Sequence, residues 1–231
     1  MLVKNTALQI GLLTIIAGLI VWSSCFYEQP QMETTTPAPE MSVAEKKARF
    51  AKLLVPAVDK VYDQLSAEYD RISMLIEEGG GDAELAALRK QYRVETNADL
   101  LVALKPHPKS IALAQAAMES SWATSRFFRM AKNVFGVWSF DKQDARIEAL
   151  EKRGDKTIWV KKYPTIEASI RDYYRTLARG KAFDEFRKLK METDDPFKLV
   201  KKLDRYSERG AEYGSELAAV IRQNNFTEYD N

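Results

Sequence analysis

A mainly helical domain with one β-hairpin, preceded by an N-terminal membrane segment, is the fold class that the sequence predicts. Three observations predict it. Apolar side chains recur at helical spacing through most of residues 42–226. Only "RIEALE" and "TIWVKKY" read as strands, and they flank the turn signal "KRGDK". Near the N-terminus, a long uncharged run is followed by a Pro/Thr/Glu-rich spacer. With 231 residues, 45% of them hydrophobic, the chain can bury a substantial core.

In chain order, residues 1–27 come first. No charge falls between Lys4 and Glu28, and the centre reads "ALQIGLLTIIAGLIVW". About twenty apolar residues are what a bilayer-spanning helix needs. Lys4 precedes the run and Glu28 and Glu33 follow it, so the positive-inside rule leaves the N-terminus in the cytoplasm and the remainder outside. Two other readings stay open. One is a cleaved signal peptide, although no small-x-small site closes the run. The other is a lipoprotein, with "VWSSC" placing two small residues before Cys25 but Trp22 where such signals resemble Leu. Residues 28–41, "EQPQMETTTPAPEM", have no apolar periodicity and read as an extended linker.

Helical periodicity begins at Ser42. Phe50, Leu53, Leu54, Val58, Val61 and Leu65 form one stripe, Ser42 with Glu45 fits a capping box, and Pro56 is expected to kink the helix. "GGG" at 79–81 ends it, and "DAELAALRKQYRV" supplies a second, shorter helix. Residues 42–100 thus read as a helical extension to a main domain, 101–231. In that domain helices are expected over 109–132, 166–179, 195–204 and 211–224, with Asp195 as N-cap and Pro196 in first position.

Composition excludes several functions. The net charge is +2 with both signs mixed throughout, so no field marks a nucleic-acid partner. Cys25 is the only cysteine, which rules out an internal disulfide and a thiolate cluster. His107, the only histidine, lies between Pro106 and Pro108 and reads as a plain loop residue. A histidine-based metal site and a Ser-His-Asp triad lack their parts, and neither metal nor cofactor is expected.

The chemistry concentrates in "ALAQAAMESSWATSRFFRMAKNVFGVWSF", residues 112–140. Read as one helix, its early turns place Glu119 in a sector with Ala112, Gln115, Ala116, Trp122 and Ala123, and apolar residues cover most of the rest. Two readings of Glu119 follow. It forms an ion pair, with Arg126 or with a lysine from another helix. Otherwise desolvation raises its pKa and it holds its proton as a general acid. Asn133, Gly136, Trp138 and Phe140 then place an amide, a backbone free to approach closely and aromatic faces beside it, a set that suits a carbohydrate groove.

This stretch resembles the catalytic signature of glycoside hydrolase family seventy-three, the glucosaminidase domains of bacterial autolysins and of the flagellar peptidoglycan hydrolase. More closely, the layout resembles the Bax-type members, from "KKARFAKLLVPAVDKVY" through "YPTIEASIRDYYRTL" to "YSERGAEYGSELAAVIRQNNF". The resemblance implies a lysozyme-like helical fold with the hairpin as a flap. It also implies cleavage of the β-1,4 bond after N-acetylglucosamine in peptidoglycan strands, on the periplasmic side of the inner membrane. The family's catalytic glutamate falls on Glu119. The aromatic-rich tail of the motif falls on Asn133, Phe135, Gly136 and Trp138, and the C-terminal tyrosines fall on Tyr206 and Tyr213. Gln115 joins the substrate-binding set.

The chain departs from the family at several positions. Ser121 and Ala123 stand where members usually carry Gly, and Phe183 where relatives often carry Tyr. Trp159 occupies the flap position where many members hold a second acid. The acids nearby are Glu148, Glu151 and Asp155, of which Glu151 is nearest the turn while still on the strand. The substrate's own acetamide, steadied by Tyr206 or Tyr213, is the alternative to a flap acid. A lytic transglycosylase or muramidase, or a non-catalytic peptidoglycan-binding scaffold, would use the same fold.

Overall fold

The structure, a computed structural model, describes residues 41–153 and 156–231. The expected N-terminal anchor and linker, and Asp155, lie outside the described residues. Among the described residues no helix is long and apolar enough to cross a membrane.

Helix α1, Val43–Glu77, starts at the expected capping box. The Glu45 amide donates to Ser42 Oγ (3.2 Å), and the Ser42 amide donates back to Glu45 Oε2 (2.7 Å). The helix continues through Pro56, and its stripe of Phe50, Leu54, Val58, Val61 and Leu65 is buried. Leu53 is only half-buried. Gly79 and Gly81 end the segment with φ of 70° and 75°, which side-chain-bearing residues adopt at a cost.

Then follow α2 (Asp82–Tyr92), α3 (Asn97–Leu104) and α4 (Lys109–Glu119). The expectation of one helix over 109–132 is corrected. The chain leaves helical geometry after Glu119 and resumes as α5, Arg126–Ala131. Beyond the hairpin come α6 (Ile166–Arg179), α7 (Asp184–Glu192), α8 (Pro196–Leu199) and α9 (Ala211–Gln223). The expected helix over 195–204 is only α8 followed by a 3-10 turn, Val200–Lys202. Helices α3 and α7 were not anticipated. Both are short, so each offers little apolar periodicity to read.

Residues 41–231 form one compact unit. Helix α4 runs through its core, packed against α1 and α9. Every residue of α4 from Lys109 to Ala117 is buried, so only its C-terminal end meets the surface. A second cluster, around Ile72, Leu85, Leu100 and Leu104, ties α1 to α2 and α3.

His107 is not the plain loop residue expected. It is buried and stacks on Tyr174 (4.4 Å between centroids, 16° between planes), with its Nδ1 paired to the Pro108 carbonyl at 3.0 Å. Burial lowers its pKa to about 3, so the ring stays neutral.

The hairpin forms as expected from β1 (Arg146–Arg153) and antiparallel β2 (Lys156–Lys161). Glu148 pairs with Trp159 but Lys152 pairs with Thr157, so β1 carries a bulge between those two pairings. The hairpin is bound to the main body at its base. The Ser139 amide donates to the Trp159 carbonyl (2.8 Å), and the Lys161 amide donates to the Val137 carbonyl (3.0 Å).

Candidate active site

Glu119 is the last residue of α4, half-buried where that buried helix reaches the surface. The helix stops there because Ser120 turns inward. Its Oγ donates to the Ala116 carbonyl (2.5 Å) and accepts the Ala123 amide (2.8 Å). The Trp122 amide closes the end onto the Ala117 carbonyl at 2.8 Å.

Ser121, Trp122 and Ala123 then adopt left-handed backbone in succession, with φ of 51°, 60° and 61°. This conformation costs roughly 1–2 kcal/mol for each residue that carries a Cβ. Packing from the two ends of the chain holds it. The Trp122 ring meets Phe50 edge-on (5.2 Å) and lies 6.3 Å from Phe226, and Lys47 Nζ sits 4.9 Å above it. Arg49 Nη1 donates to the Ala123 carbonyl (3.2 Å). Glycine at 121 and 123 would adopt this geometry without strain.

Behind Glu119 runs a chain of buried hydrogen bonds. Tyr173 Oη donates to Gln115 Oε1 (2.5 Å), Gln115 Nε2 donates to Tyr213 Oη (3.0 Å), and Tyr213 Oη donates to Glu119 Oε1 (2.9 Å). Tyr173 occupies the amide oxygen, so the amide nitrogen faces Tyr213, and the Tyr213 hydroxyl is left to point its hydrogen at Glu119.

Aromatic stacking holds the frame. Phe135 lies flat on Tyr173 (4.0 Å, 8°), and Tyr206 lies flat on Tyr213 (5.4 Å, 8°). Gly214 lets α9 approach, since a Cβ there would stand 2.6 Å from the Val200 carbonyl oxygen.

Burial raises the pKa of Glu119, opposed by the Tyr213 hydrogen bond and by Arg209, with Glu216 adding to the rise. Its place at a helix C-terminus acts in the same direction as burial, because that end of the dipole disfavours negative charge. The expected alternative, an ion pair with Arg126, is not formed. Arg126 Nη1 donates instead to the Glu148 carbonyl, 2.8 Å away.

A second surface is formed by the loop after α5 with the hairpin. Asn133 is buried and braces it. Its Nδ2 donates to the carbonyls of Val137 and Lys161 (both 2.9 Å), and its Oδ1 accepts the Val137 amide (3.0 Å). Asn133, Phe135 and Gln115 therefore lie beneath the surface where substrate contacts were expected. Their side chains are committed to the fold.

Gly136 has φ of 66°, and an added Cβ would meet nothing within 4 Å. Backbone conformation, rather than the expected close approach, requires glycine there. Trp138 (41% exposed) and Phe140 (86%) are exposed aromatic residues. Beneath the hairpin, Arg126, Phe127, Trp138, Ala149, Ile158 and Val160 line a largely apolar hollow of about 410 Å³.

Among the described side chains, the one flap carboxylate, Glu148, makes no hydrogen bond with Glu119. Glu148 is exposed. Glu151 has its backbone in the bulged part of β1, and its side chain lies outside what the structure describes. Trp159 stacks under the Arg146 guanidinium at 4.4 Å. Two contributors were missed in the sequence. Tyr173 sits in an apolar stripe and reads as core, and Arg209 lies in a charged turn, 5.1 Å from the Tyr213 ring.

Comparison with known proteins adds three likenesses. Protein bax of Escherichia coli K12 is 23% identical over 197 residues, covering 78% of this chain and 70% of that protein. Exo-glucosaminidase LytG of Bacillus subtilis 168 is 26% identical over 137 residues, covering 52% of this chain and 45%, less than half, of that protein. The catalytic domain of the autolysin Auto from Listeria monocytogenes superimposes with a TM-score of 0.48 at 19% identity, covering 84% of this chain and all of that domain. Residues 96–226, with Glu119, the Tyr173–Gln115–Tyr213 chain and the exposed aromatic residues, match the model of the glucosaminidase family, described as mannosyl-glycoprotein endo-β-N-acetylglucosaminidase. The match spans more than half of the chain, which therefore belongs to the glucosaminidase family.

Proposed function

We propose that this protein is a peptidoglycan hydrolase of lysozyme-like fold that cuts the β-1,4 bond after N-acetylglucosamine, with Glu119 as general acid. The observation that carries the reading is the setting of Glu119. It is a desolvated carboxyl with a raised pKa, held by one hydroxyl donor at the open end of a buried helix. Family membership and the names of the relatives support the substrate class.

Glu119 transfers its proton to the glycosidic oxygen as the bond to the anomeric carbon breaks. The sugar passes through an oxocarbenium-like state, and water adds to that carbon. Tyr213 orients the carboxyl, Tyr206 and Trp138 contact sugar, and Glu151 receives the proton of the attacking water. Glu151 is assigned because it is the flap acid nearest the turn while still on β1. The N-terminal segment holds the domain on the periplasmic side of the inner membrane. The linker adds a reach of roughly 3 Å per residue.

Mass spectrometry of muropeptides released from purified sacculi tests the reading. Fragments with N-acetylglucosamine at the reducing end are expected. Anhydro products would assign a transglycosylase, reducing-end N-acetylmuramic acid a muramidase, and no release a binding protein. For the anchor, carbonate washing of membranes should leave the full-length chain in the pellet. Soluble protein of reduced mass would show a cleaved signal, and loss of retention in Cys25→Ala would show a lipid anchor.

A further inference from the structure

One face of α6 carries Arg171, Arg175 and Arg179, each four residues from the next. Like charges at this spacing stand one above another on a helix and repel. Carboxylates at hand do not neutralise them. Asp172, the acid beside them, is occupied by Lys161 Nζ (3.2 Å) and by the Tyr163 hydroxyl (2.7 Å). Arg171 donates to the Gln64 amide oxygen. Among the described residues neither Arg175, Arg179 nor the neighbouring Arg93 has a carboxylate within ion-pair distance. Arg175 Nε is buried and has no hydrogen-bond acceptor.

These side chains line two adjoining depressions, of about 600 and 290 Å³, that share Lys161, Asp172 and Arg175. Together the two are lined by seven basic and three acidic side chains. The smaller depression is lined by backbone neighbours of the aromatic residues already described. Val137, in its lining, adjoins Trp138, and Gly180 lies three residues before Phe183, whose ring stands 6.1 Å from Tyr206.

We propose that this arginine-lined groove binds the free carboxylates of the short peptides that peptidoglycan carries along its sugar chain, and so selects peptide-bearing strands. The inference rests on the proposed substrate. A guanidinium binds a carboxylate through two parallel N–H donors, and the separated cations here fit separated carboxylates. A dense polyanion would meet Asp144, Glu167 and Asp172 in the same lining.

Two measurements on the full chain test this, with Arg175→Gln/Arg179→Gln as the variant and Arg179→Gln alone should the pair fold poorly. Calorimetric titration with a synthetic stem tetrapeptide should show binding that weakens roughly tenfold in the variant and in the carboxamide form of the peptide. Cleavage should show KM raised by a similar factor on peptide-bearing glycan, kcat unchanged, and no change on glycan stripped of peptides by an amidase. Equal binding of acid and amide peptides, or an equal change on both glycans, overturns the proposal. Peptide binding by a chain that releases no sugars would uphold the groove and overturn the hydrolase reading instead.

Discussion

The surroundings of Glu119 and the hairpin are built on different terms. The wall made by α4, α6 and α9 is dry and fully bonded. Tyr173, Gln115 and Tyr213 are each buried, and each hands one hydrogen bond to the next. The hairpin is open, bulged, and fixed to the body mainly along one edge of its base. A two-stranded hairpin has little stability of its own. The difference matches two requirements. A proton donor needs a fixed environment to keep its pKa, whereas a surface that admits a polymer has to yield to it.

The sharpest way to break this comparison is to remove the proton. Glu119→Gln keeps the shape and still accepts from Tyr213, so folding should survive while turnover falls by about 10²–10⁴-fold. A well-folded variant with substantial activity would remove Glu119 from the chemistry. Its stability carries a second signature. Because the folded-state pKa is raised, native Glu119 holds its proton more tightly than the unfolded chain does. Wild-type stability therefore declines as pH rises from the ordinary glutamate value through the raised one. The glutamine variant should melt higher than wild type above that window and match it below.

On the flap side, Glu151→Gln should lower turnover by about a hundredfold, at the lower end of general-base effects, while Glu148→Gln leaves it unchanged. If all the flap variants, Asp155→Asn included, retain wild-type rates, the substrate's acetamide is the second group.

Tyr213→Phe acts on the dry wall and should cut turnover by roughly tenfold, the worth of one hydrogen bond to a charged group. It leaves the Gln115 amide unpaired, with a stability loss of about 1–3 kcal/mol. The Tyr213 bond stabilises ionised Glu119, so its loss raises the pKa further. The alkaline limb of the kcat/KM profile should then move to higher pH. An unmoved limb would mean that Glu119 does not set it.

The smallest effect is expected at the strained turn. Ser121→Gly relieves left-handed strain of about 1 kcal/mol at an exposed position, so little packing is lost. For a chain of this size that corresponds to a Tm rise of about 2–4 °C, with activity unchanged.

Much of this design was legible in the residues. The capping box at Ser42, the glycine stop at 79–81, the hairpin around "KRGDK" and the unusual placement of Glu119 could all be read from short stretches. Each depends on local spacing or on backbone rules that hold wherever the segment lies. The break after Glu119 was not legible, because "SSWA" carries no glycine or proline to announce it. Tyr173 was hidden for a similar reason, since a tyrosine in an apolar stripe looks the same whether its hydroxyl is idle or bonded.

By itself the sequence determined most of the long elements, the carboxylate and the aromatic residues near it, because periodicity, caps and residue chemistry are properties of neighbours along the chain. Only the tertiary structure decided that Phe50 and Phe226, from opposite ends of the chain, would clamp three left-handed residues. It also decided that α6 and α9 would deliver Tyr173 and Tyr213 to one glutamine of α4. The physical reason is that strain, proton direction and a raised pKa depend on burial and on partners brought together across 58 to 98 residues of sequence, and neither exists until the core has closed.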